Sequence, residues 1–331
     1  MYYKKLPKNK VKCLLCPRGC IVGKGKKGFC RVRENRKGKY YTLVHSNPCA
    51  VHIDPIEKKP LFHFLPGTAA LSIATAGCNF TCKNCQNWDI SQAYPENTFN
   101  ILLSPDKIVE LALENNAPTI AYTYTEPTVF FEYMFDTCRR ARKKNVRNIY
   151  HSNGYINQEP LLDLIPYLDA ANIDLKAYSN AFYQGITGGT LSPVLKTLKT
   201  LKSKGVWLEI TNLVIPSKND DASLIKELCL WVKEELGDDV PLHFSRFYPQ
   251  YKLQNLPPTP VSTLKKAADI ARNVGIHYVY IGNVPGIPEE STYCPHCNKV
   301  VIERIGYEIK SINIKKGKCG FCGTTIPGVW K

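Results

Sequence analysis

Short apolar, β-rich runs alternate with amphipathic helical stretches from residue 71 to about residue 281. This alternation is typical of repeated parallel βα units, in which each helix returns the chain to the same end of the sheet. About seven strands are predicted, near residues 71–76, 119–124, 148–152, 170–174, 207–214, 242–247 and 278–281. Helices are predicted between them over residues 105–114, 129–143, 158–165, 192–204, 222–236 and 261–274.

Six or seven such units fall short of the eight that close a complete barrel. We therefore expect an α/β fold, a partial (β/α)6-type TIM barrel with small cysteine-rich metal-binding modules at both termini. The predicted domains are a Cys-rich N-terminal module (1–40), a connecting β segment (41–70), the partial barrel (71–285) and a zinc-ribbon or rubredoxin-like C-terminal module (286–331). The carboxyl ends of the parallel strands are where such folds place their chemistry.

Eleven of the 14 cysteines fall into three groups. The chain shows neither an apolar run long enough to span a membrane nor the apolar stretch of a signal peptide, so a cytoplasmic location without a membrane partner is expected. Because cytosolic thiols stay reduced, clustered cysteines favour metal binding. Cys49, Cys138 and Cys229 stand apart and are expected to be core or incidental residues. The grouped cysteines are Cys13, Cys16, Cys20 and Cys30, then Cys78, Cys82 and Cys85, then Cys294, Cys297, Cys319 and Cys322.

The net charge of +16 is concentrated at the two ends of the chain. Residues 1–40 carry 14 Lys and Arg against Glu34 alone, and residues 299–331 carry 7 against two Glu. The residues between hold 23 basic and 25 acidic side chains. Basic ends attract polyanions, so RNA or an acidic protein face is a candidate partner. Alternatively, the lysines compensate anionic thiolates around bound metal or reflect heat adaptation.

The middle group has the form Cys78-Asn-Phe-Thr-Cys82-Lys-Asn-Cys85 and follows directly after the first predicted strand. An iron-sulfur cube normally takes four thiolates, so three from the chain leave one iron open to a small molecule. A zinc ion would want a fourth ligand close by, and His63 lies before the strand. The spacing therefore favours a 4Fe-4S cube with an open iron.

At these residues the sequence resembles the radical S-adenosylmethionine (SAM) enzymes, whose signature is C-x3-C-x-aromatic-C after the first strand of a partial barrel. The resemblance implies a 4Fe-4S cluster whose open iron binds SAM. The reduced cluster would cleave SAM to methionine and a 5′-deoxyadenosyl radical that abstracts hydrogen. Asn84 departs from the signature, because the family has an aromatic residue there, and Phe80 and Trp88 are candidates to replace it.

Motifs at later strand ends strengthen the resemblance. Tyr124-Thr125-Glu126-Pro127 is similar to the family's Gly-Gly-Glu-Pro, which holds the SAM amino group. Ser152-Asn153-Gly154 and Asp174-Leu175-Lys176 are similar to the Thr-Asn-Gly and Asp-Leu-Lys of glycyl-radical activating enzymes. By this resemblance Lys176 pairs with the SAM carboxylate and Asp174 binds a hydroxyl or a cation. The predicted cofactor-binding residues are Tyr124, Thr125, Glu126, Ser152, Asn153, Asp174, Lys176 and Arg246.

The wider pattern resembles the radical SAM component of the AmmeMemoRadiSam system, in the pyruvate formate-lyase activating enzyme-like branch. The resemblance covers nearly the full length and implies Memo-like and Amme-type proteins as partners. The segments that carry it are Cys13-Leu-Leu-Cys16-Pro-Arg-Gly-Cys20, Cys30-Arg-Val-Arg-Glu-Asn35, Cys85-Gln-Asn87, Tyr122-Thr-Tyr-Thr-Glu-Pro127 and the two cysteine pairs near the end.

The spacing of the cysteines indicates the bound metal for one of the two flanking groups but not for the other. Cys294-Pro-His-Cys297 and Cys319-Gly-Phe-Cys322 are separated by 21 residues, close to the span of four-cysteine zinc ribbons. Zinc is expected there, with a rubredoxin-like iron as the competitor. The spacing from Cys13 to Cys30 leaves zinc and a second 4Fe-4S cluster equally open. Zinc would be a staple for a small segment, whereas a cluster would pass electrons.

Three functions are therefore considered. The first is a SAM-cleaving, glycyl-radical-activase-like enzyme acting on a protein or small molecule, with an electron donor such as ferredoxin or flavodoxin. The second is a radical SAM enzyme that modifies RNA, which the basic ends favour. The third is a non-catalytic iron-sulfur electron carrier or binding module.

Overall fold

The computed structural model describes residues 1–331. Its N-terminal part consists of two small antiparallel sheets. Val11 and Val22 of this part are buried in the same hydrophobic core as the central sheet, so the module packs directly against the rest of the chain. One sheet contains β1 (Tyr3–Leu6), β2 (Lys10–Cys13) and β3 (Ile21–Val22), and the other contains β4 (Arg33–Arg36) and β5 (Lys39–Thr42).

The central sheet has seven parallel strands and one antiparallel edge strand. In chain order its strands are β6 (Ala50–Pro55), β7 (Ala69–Ala74), β8 (Thr119–Tyr122), β9 (Arg147–Ser152), β10 (Ala170–Asp174), β11 (Trp207–Val214), β12 (Leu242–Arg246) and β13 (Val279–Gly282). Each strand pairs with its neighbour in sequence, and only β6 runs antiparallel. The sheet ends at β6 and β13. The α/β fold with a parallel sheet is confirmed, whereas closure into a partial barrel stays a prediction.

Side-chain caps mark the start of two of the longer helices between the strands. Pro105 occupies the first helical position of one helix, and the Ser104 hydroxyl accepts a hydrogen bond from the Lys107 N–H at 3.2 Å. Asp221 caps another helix in the same way. None of the helices is both long and apolar enough to cross a membrane. The helices are α1 (Trp88–Ser91), α2 (Pro105–Glu114), α3 (Phe131–Lys143), α4 (Gln158–Leu164), α5 (Asn180–Phe182), α6 (Ser192–Ser203), α7 (Ala222–Leu236) and α8 (Val261–Val274).

The C-terminal part adds a small antiparallel sheet and a hairpin. Its strands are β14 (Thr292–Tyr293), β15 (Val300–Ile305), β16 (Glu308–Ile312), β17 (Ile314–Lys315) and β18 (Lys318–Cys319). The end of the chain returns to the segment between β6 and β7, where the Leu65 N–H donates to the Val329 carbonyl at 2.7 Å.

A buried polar cluster joins this C-terminal part to the amino ends of the last strands. The Glu209 carboxylate accepts hydrogen bonds from the backbone N–H of His63 at 2.8 Å and contacts His243 Nε2 at 2.7 Å. His63 Nε2 lies 2.6 Å from the Tyr280 hydroxyl, and Arg304 of β15 donates to the Phe62 carbonyl at 2.7 Å. Because Glu209, His243 and Tyr280 lie near the starts of their strands, the C-terminal module covers the end of the sheet opposite to the strands' carboxyl ends.

Burial of His63 predicts a loss of stability in mild acid. Burial lowers the pKa of His63 from 6.5 to about 4. The folded state therefore prefers the neutral ring, so this stabilisation is complete above pH 6.5 and is lost as the pH falls toward 4, by about 3 kcal/mol in total. Urea unfolding at pH 6.5 and pH 4 should show a smaller fall in the free energy of unfolding for His63→Asn than for the wild type. Equal falls would contradict this role.

Candidate active site

The three cysteines of the middle group lie on the loop that follows β7. The Cys78 sulfur accepts a hydrogen bond from the Phe80 N–H at 3.3 Å and lies 3.9 Å from Asn153 Nδ2 at the end of β9. Burial raises the pKa of all three thiols, that of Cys82 to about 11 and that of Cys78 and Cys85 above its usual range. Thiols of this kind become thiolates when a bound metal supplies the compensating charge. Three such sulfurs fit the donor set of an iron-sulfur cube with one open iron.

Backbone hydrogen bonds hold this loop from two sides. The Thr81 N–H donates to the Thr187 carbonyl at 2.9 Å, and the Lys83 N–H donates to the Ile186 carbonyl at 3.0 Å. On the other side, the Lys252 N–H of the segment after β12 donates to the Lys83 carbonyl at 2.8 Å. The cysteines are therefore positioned by the turn after α5 and by the segment after β12.

The segment after β8 is tied to the cysteine loop. Tyr124 has a φ of +60°, and its carbonyl accepts a hydrogen bond from Asn87 Nδ2 at 2.8 Å. The Thr125 hydroxyl donates to the Thr75 carbonyl at 2.9 Å, while the Tyr124 hydroxyl donates to Asp54 on β6. The Tyr124 side chain therefore points to the edge strand, and its backbone faces the loop.

Glu126 is buried and connects the ends of β8 and β9. Its Oε1 accepts hydrogen bonds from the Thr128 N–H at 2.9 Å, the Thr128 hydroxyl at 2.6 Å and the Ser152 hydroxyl at 2.8 Å. Its Oε2 accepts one hydrogen bond, from the Asn153 N–H at 2.9 Å. Burial raises the pKa of Glu126, although these donors oppose the shift. Since Oε2 keeps a free lone pair, it can also accept a hydrogen bond from an ammonium group.

Glu126→Gln should destabilise the fold. The amide NH2 of Gln would replace an oxygen that faces only donors, so at least one buried donor loses its acceptor. We expect the free energy of unfolding to fall by about 2 kcal/mol. Urea unfolding measures the loss, with Glu110→Gln on the exposed face of α2 as the matched control, which should change stability by less than about 0.5 kcal/mol. A Glu126→Gln variant as stable as the control would show that these hydrogen bonds contribute little.

A second polar cluster lies at the ends of β8, β9 and β10. Lys176 Nζ lies 2.9 Å from Asp174 Oδ2, His151 Nε2 lies 3.7 Å from Asp174 Oδ1, and His151 Nδ1 lies 3.1 Å from the Thr123 hydroxyl. Burial alone would raise the pKa of Asp174, but Lys176 and His151 more than offset this effect and hold it well below its usual range. Burial would lower the pKa of Lys176, yet Asp174 and the nearby Cys82 raise it.

His151 and Thr123 were missed by the sequence reasoning. Each of these two residues lies at the end of a strand, one residue before a predicted motif. The available signal was a histidine in the next-to-last position of the strand Arg147–Ser152, directly before the predicted motif. A polar residue at that position belongs to the same edge of the sheet as the motif that follows it.

Arg246 lies at the end of β12, at the same edge of the sheet. Its Nε donates to the Thr259 carbonyl at 2.9 Å, and its Nη1 donates to the Tyr248 hydroxyl at 3.1 Å. The structure therefore brings Tyr124, Thr125, Glu126, Ser152 and Asn153 into contact with the cysteine loop or with one another. Arg246 instead donates hydrogen bonds to Thr259 and Tyr248.

The aromatic residues near the cysteine loop are not equivalent. Phe80 is fully buried and packs on Tyr155, with 4.9 Å between the ring centroids. Trp88 is 44 % exposed and stacks on Tyr251, with 5.2 Å between centroids. Asn84 is buried. Of the two aromatic candidates, Trp88 is therefore the one available to a ligand.

The C-terminal cysteines form a tight group. The four sulfurs of Cys294, Cys297, Cys319 and Cys322 lie within 4.8 Å of one another. Cys294 and Cys322 are 3.6 Å apart, and Cys297 and Cys319 are 3.8 Å apart, measured between sulfurs. Tetrahedral coordination with metal–sulfur bonds of about 2.3 Å places ligand sulfurs about 3.8 Å apart. The group therefore has the geometry for one metal ion.

The N-terminal cysteines are arranged differently. Cys13, Cys16, Cys20 and Cys30 line a single cavity, but their sulfurs do not converge as tightly as those of the C-terminal group. Cys138 and Cys229 are buried in the core, and Cys49 is half-buried.

Comparisons with known proteins agree with this arrangement. The sequence profile of the Radical SAM superfamily matches residues 72–228, which include the cysteine loop and the strand ends that contact it. The chain is 48 % identical to the uncharacterized protein MJ0808 of Methanocaldococcus jannaschii over 98 % of both chains. It is 23 % identical to the 4-hydroxyphenylacetate decarboxylase activating enzyme of Clostridium scatologenes, over 38 % of this chain and 43 % of that enzyme.

The fold also occurs among solved structures. Streptococcus suis SuiB, in its crystal structure with S-adenosylmethionine, is similar with a TM-score of 0.53 at 12 % identity, over 69 % of this chain and 53 % of SuiB. With its parallel sheet and its three-cysteine loop, the chain contains a Radical SAM superfamily domain over residues 72–228.

Proposed function

We propose that this chain is a radical SAM enzyme of the glycyl-radical-activase type, which cleaves SAM reductively and abstracts hydrogen from its substrate. Membership of the superfamily implies a 4Fe-4S cluster, SAM and radical chemistry. The observation that carries the proposal is that Asn153 contacts both the Glu126 carboxylate and the Cys78 sulfur, because these contacts place a carboxylate and the cysteine loop at one edge of the sheet.

In this proposal Cys78, Cys82 and Cys85 hold the cluster. When bound, the cluster supplies the electron that breaks the C–S bond of SAM. The methionine end of SAM carries an ammonium and a carboxylate, and the site offers one partner for each. Oε2 of Glu126 accepts a hydrogen bond from the ammonium, and Lys176 pairs with the carboxylate, in part by exchanging its contact with Asp174.

The activase subtype rests on sequence. The relative from Clostridium scatologenes is named as an activating enzyme. The Ser152-Asn153-Gly154 and Asp174-Leu175-Lys176 segments resemble activase motifs. We also propose that the chain acts with Memo-like and Amme-type proteins, as the AmmeMemoRadiSam resemblance implies, and that ferredoxin or flavodoxin supplies electrons.

Deuterium transfer tests the activase proposal. A Memo-like or Amme-type protein labelled with deuterium on glycine Cα is incubated without oxygen with the reconstituted enzyme, reductant and SAM. A glycyl-radical activase moves the label into 5′-deoxyadenosine, since the abstracted atom ends on the 5′ carbon. Formation of unlabelled 5′-deoxyadenosine together with no glycyl radical signal would remove the activase assignment for that protein.

RNA modification is the second candidate, and one observation favours it. The basic residues 1–40 lie beside the active site, because Arg18 donates hydrogen bonds to the carbonyls of Asn79 and Gly188. An RNA-modifying enzyme should bind tRNA with an affinity that falls at least about 10-fold between 50 and 200 mM salt. Fluorescence anisotropy measures this fall. An absence of binding at 50 mM salt would count against RNA.

We further propose zinc for the C-terminal cysteine group. The spacing between sulfurs matches tetrahedral coordination, and four protein ligands leave no open position for substrate, as in structural sites. The group also lies at the end of the sheet away from the cysteine loop. Its role is then to stabilise the C-terminal module.

A further inference from the structure

The N-terminal module contains a cavity whose walls include all four of its cysteines. Apolar and aromatic side chains, such as Leu15, Val129 and Phe29, form much of the remaining wall. Cys13 is buried and the other three cysteines are half-buried. The cavity therefore presents four sulfur donors.

The N-terminal and C-terminal cysteine groups differ in how closely their sulfurs approach one another. The C-terminal sulfurs all lie within 4.8 Å of one another, whereas the N-terminal sulfurs do not form such a group. The sulfurs of Cys78, Cys82 and Cys85, for which the superfamily implies a cube, are likewise not grouped this tightly. Ligands of a cube stand further apart than ligands of one ion, because four irons and four sulfides lie between them. The N-terminal group resembles the cube loop in this respect.

A buried cation faces the same cavity. Arg33 is 3 % exposed, lines the cavity and forms an ion pair with Glu132, with its Nη1 2.9 Å from Oε1. Its Nε is buried and has no hydrogen-bond partner. An unused N–H at the wall of a sulfur-lined cavity suits a thiolate or a cluster sulfide as acceptor, since such hydrogen bonds tune iron-sulfur clusters.

The cavity shares a wall with the cysteine loop. Asn79, the residue after Cys78, lines it. Gly77, the residue before Cys78, has a φ of +92°, and a Cβ built on it would lie 2.5 Å from the Cys30 carbonyl oxygen. Backbone of the two cysteine groups is therefore in close contact at Gly77, and Asn79 on the other side of Cys78 lines the N-terminal cavity.

We infer that the N-terminal cavity holds a second 4Fe-4S cluster, bound by Cys13, Cys16, Cys20 and Cys30, close enough to the cluster of the cysteine loop to exchange one electron with it. All four irons of this cluster are liganded by the chain, so it binds no SAM. An external one-electron donor of the ferredoxin or flavodoxin class reduces it, and the same electron passes to the loop cluster. No bond forms or breaks at the N-terminal site. The electron exchange rests on the proposed function, whereas the identity of the cluster does not.

Metal analysis of the C78A/C82A/C85A variant tests the identity of the cluster. After anaerobic reconstitution with iron and sulfide, this variant should retain about four iron atoms, as should C13A/C16A/C20A/C30A, and the wild type should hold about eight. A C78A/C82A/C85A variant that contains zinc in place of iron at the N-terminal site would overturn the inference. Iron in this variant together with no SAM cleavage by the wild type would reject the proposed function and keep the second cluster.

Electron paramagnetic resonance tests the proximity of the two clusters. In the dithionite-reduced wild type, two nearby paramagnets broaden each other, so the spectrum should differ from the sum of the spectra of the two variants. A wild-type spectrum equal to that sum would overturn the electron exchange. This readout does not depend on catalytic activity.

Discussion

Cys82→Ala should abolish the formation of 5′-deoxyadenosine from SAM. The loop supplies three sulfurs, and a cube that loses one of them has two unliganded irons and no defined open position for the amino and carboxylate groups of SAM. We expect the rate to fall at least about 10³-fold, which corresponds to about 4 kcal/mol in the activation barrier. Anaerobic incubation with dithionite and SAM, followed by chromatography, measures the product.

Cys49→Ala is the matched control for this experiment. Cys49 is half-buried and lies outside the three cysteine groups, so its removal changes the number of thiols without changing any proposed ligand. The control should keep the wild-type rate. Product formation by Cys82→Ala at the rate of the control would remove Cys82 from the site.

Cys297→Ala should release the C-terminal metal and destabilise the C-terminal module. Structural zinc contributes roughly 10 kcal/mol or more to the folding of small four-ligand domains. The core of this module is small and includes two of the ligands, Cys294 and Cys319, with Val301 and Ile326. We expect bound zinc to fall from about one atom per chain to none and the free energy of unfolding to fall by at least about 3 kcal/mol.

His296→Ala is the control for the metal site. His296 is exposed and lies inside the first cysteine pair, and the four sulfurs already complete a tetrahedron without it. This variant should keep its zinc and its stability, as measured by metal analysis and urea unfolding. Loss of zinc from His296→Ala, or retention of zinc by Cys297→Ala, would contradict the proposed ligand set.

Local signals in the sequence were sufficient for the elements of the sheet and its helices. The predicted helices 105–114, 222–236 and 261–274 agree with the structure residue for residue, because caps and proline mark their ends. The seven parallel strands were predicted within a few residues, since buried strands form continuous apolar runs. Because parallel strands place their chemistry at their carboxyl ends, the sequence also predicted that the cysteine loop lies beside the motifs after β8 and β9.

Contacts between segments that are distant in the chain could not be predicted from the sequence. The contact of His151 with Asp174 depends on the register of two strands, and the burial of Phe80 depends on Tyr155 in another loop. The spacing of the two terminal cysteine groups also does not predict which of them lies beside the active-site loop. Only the fold shows that the N-terminal group touches the active-site loop through Gly77, while the C-terminal group packs at the opposite end of the sheet.

The anaerobic reaction of the reconstituted wild type with dithionite and SAM decides whether this chain performs radical SAM chemistry. We predict equal amounts of 5′-deoxyadenosine and methionine, formed only when iron, sulfide, reductant and SAM are all present. Unchanged SAM in a protein with a full complement of iron would contradict the proposal and would leave an electron carrier or binding module as the function.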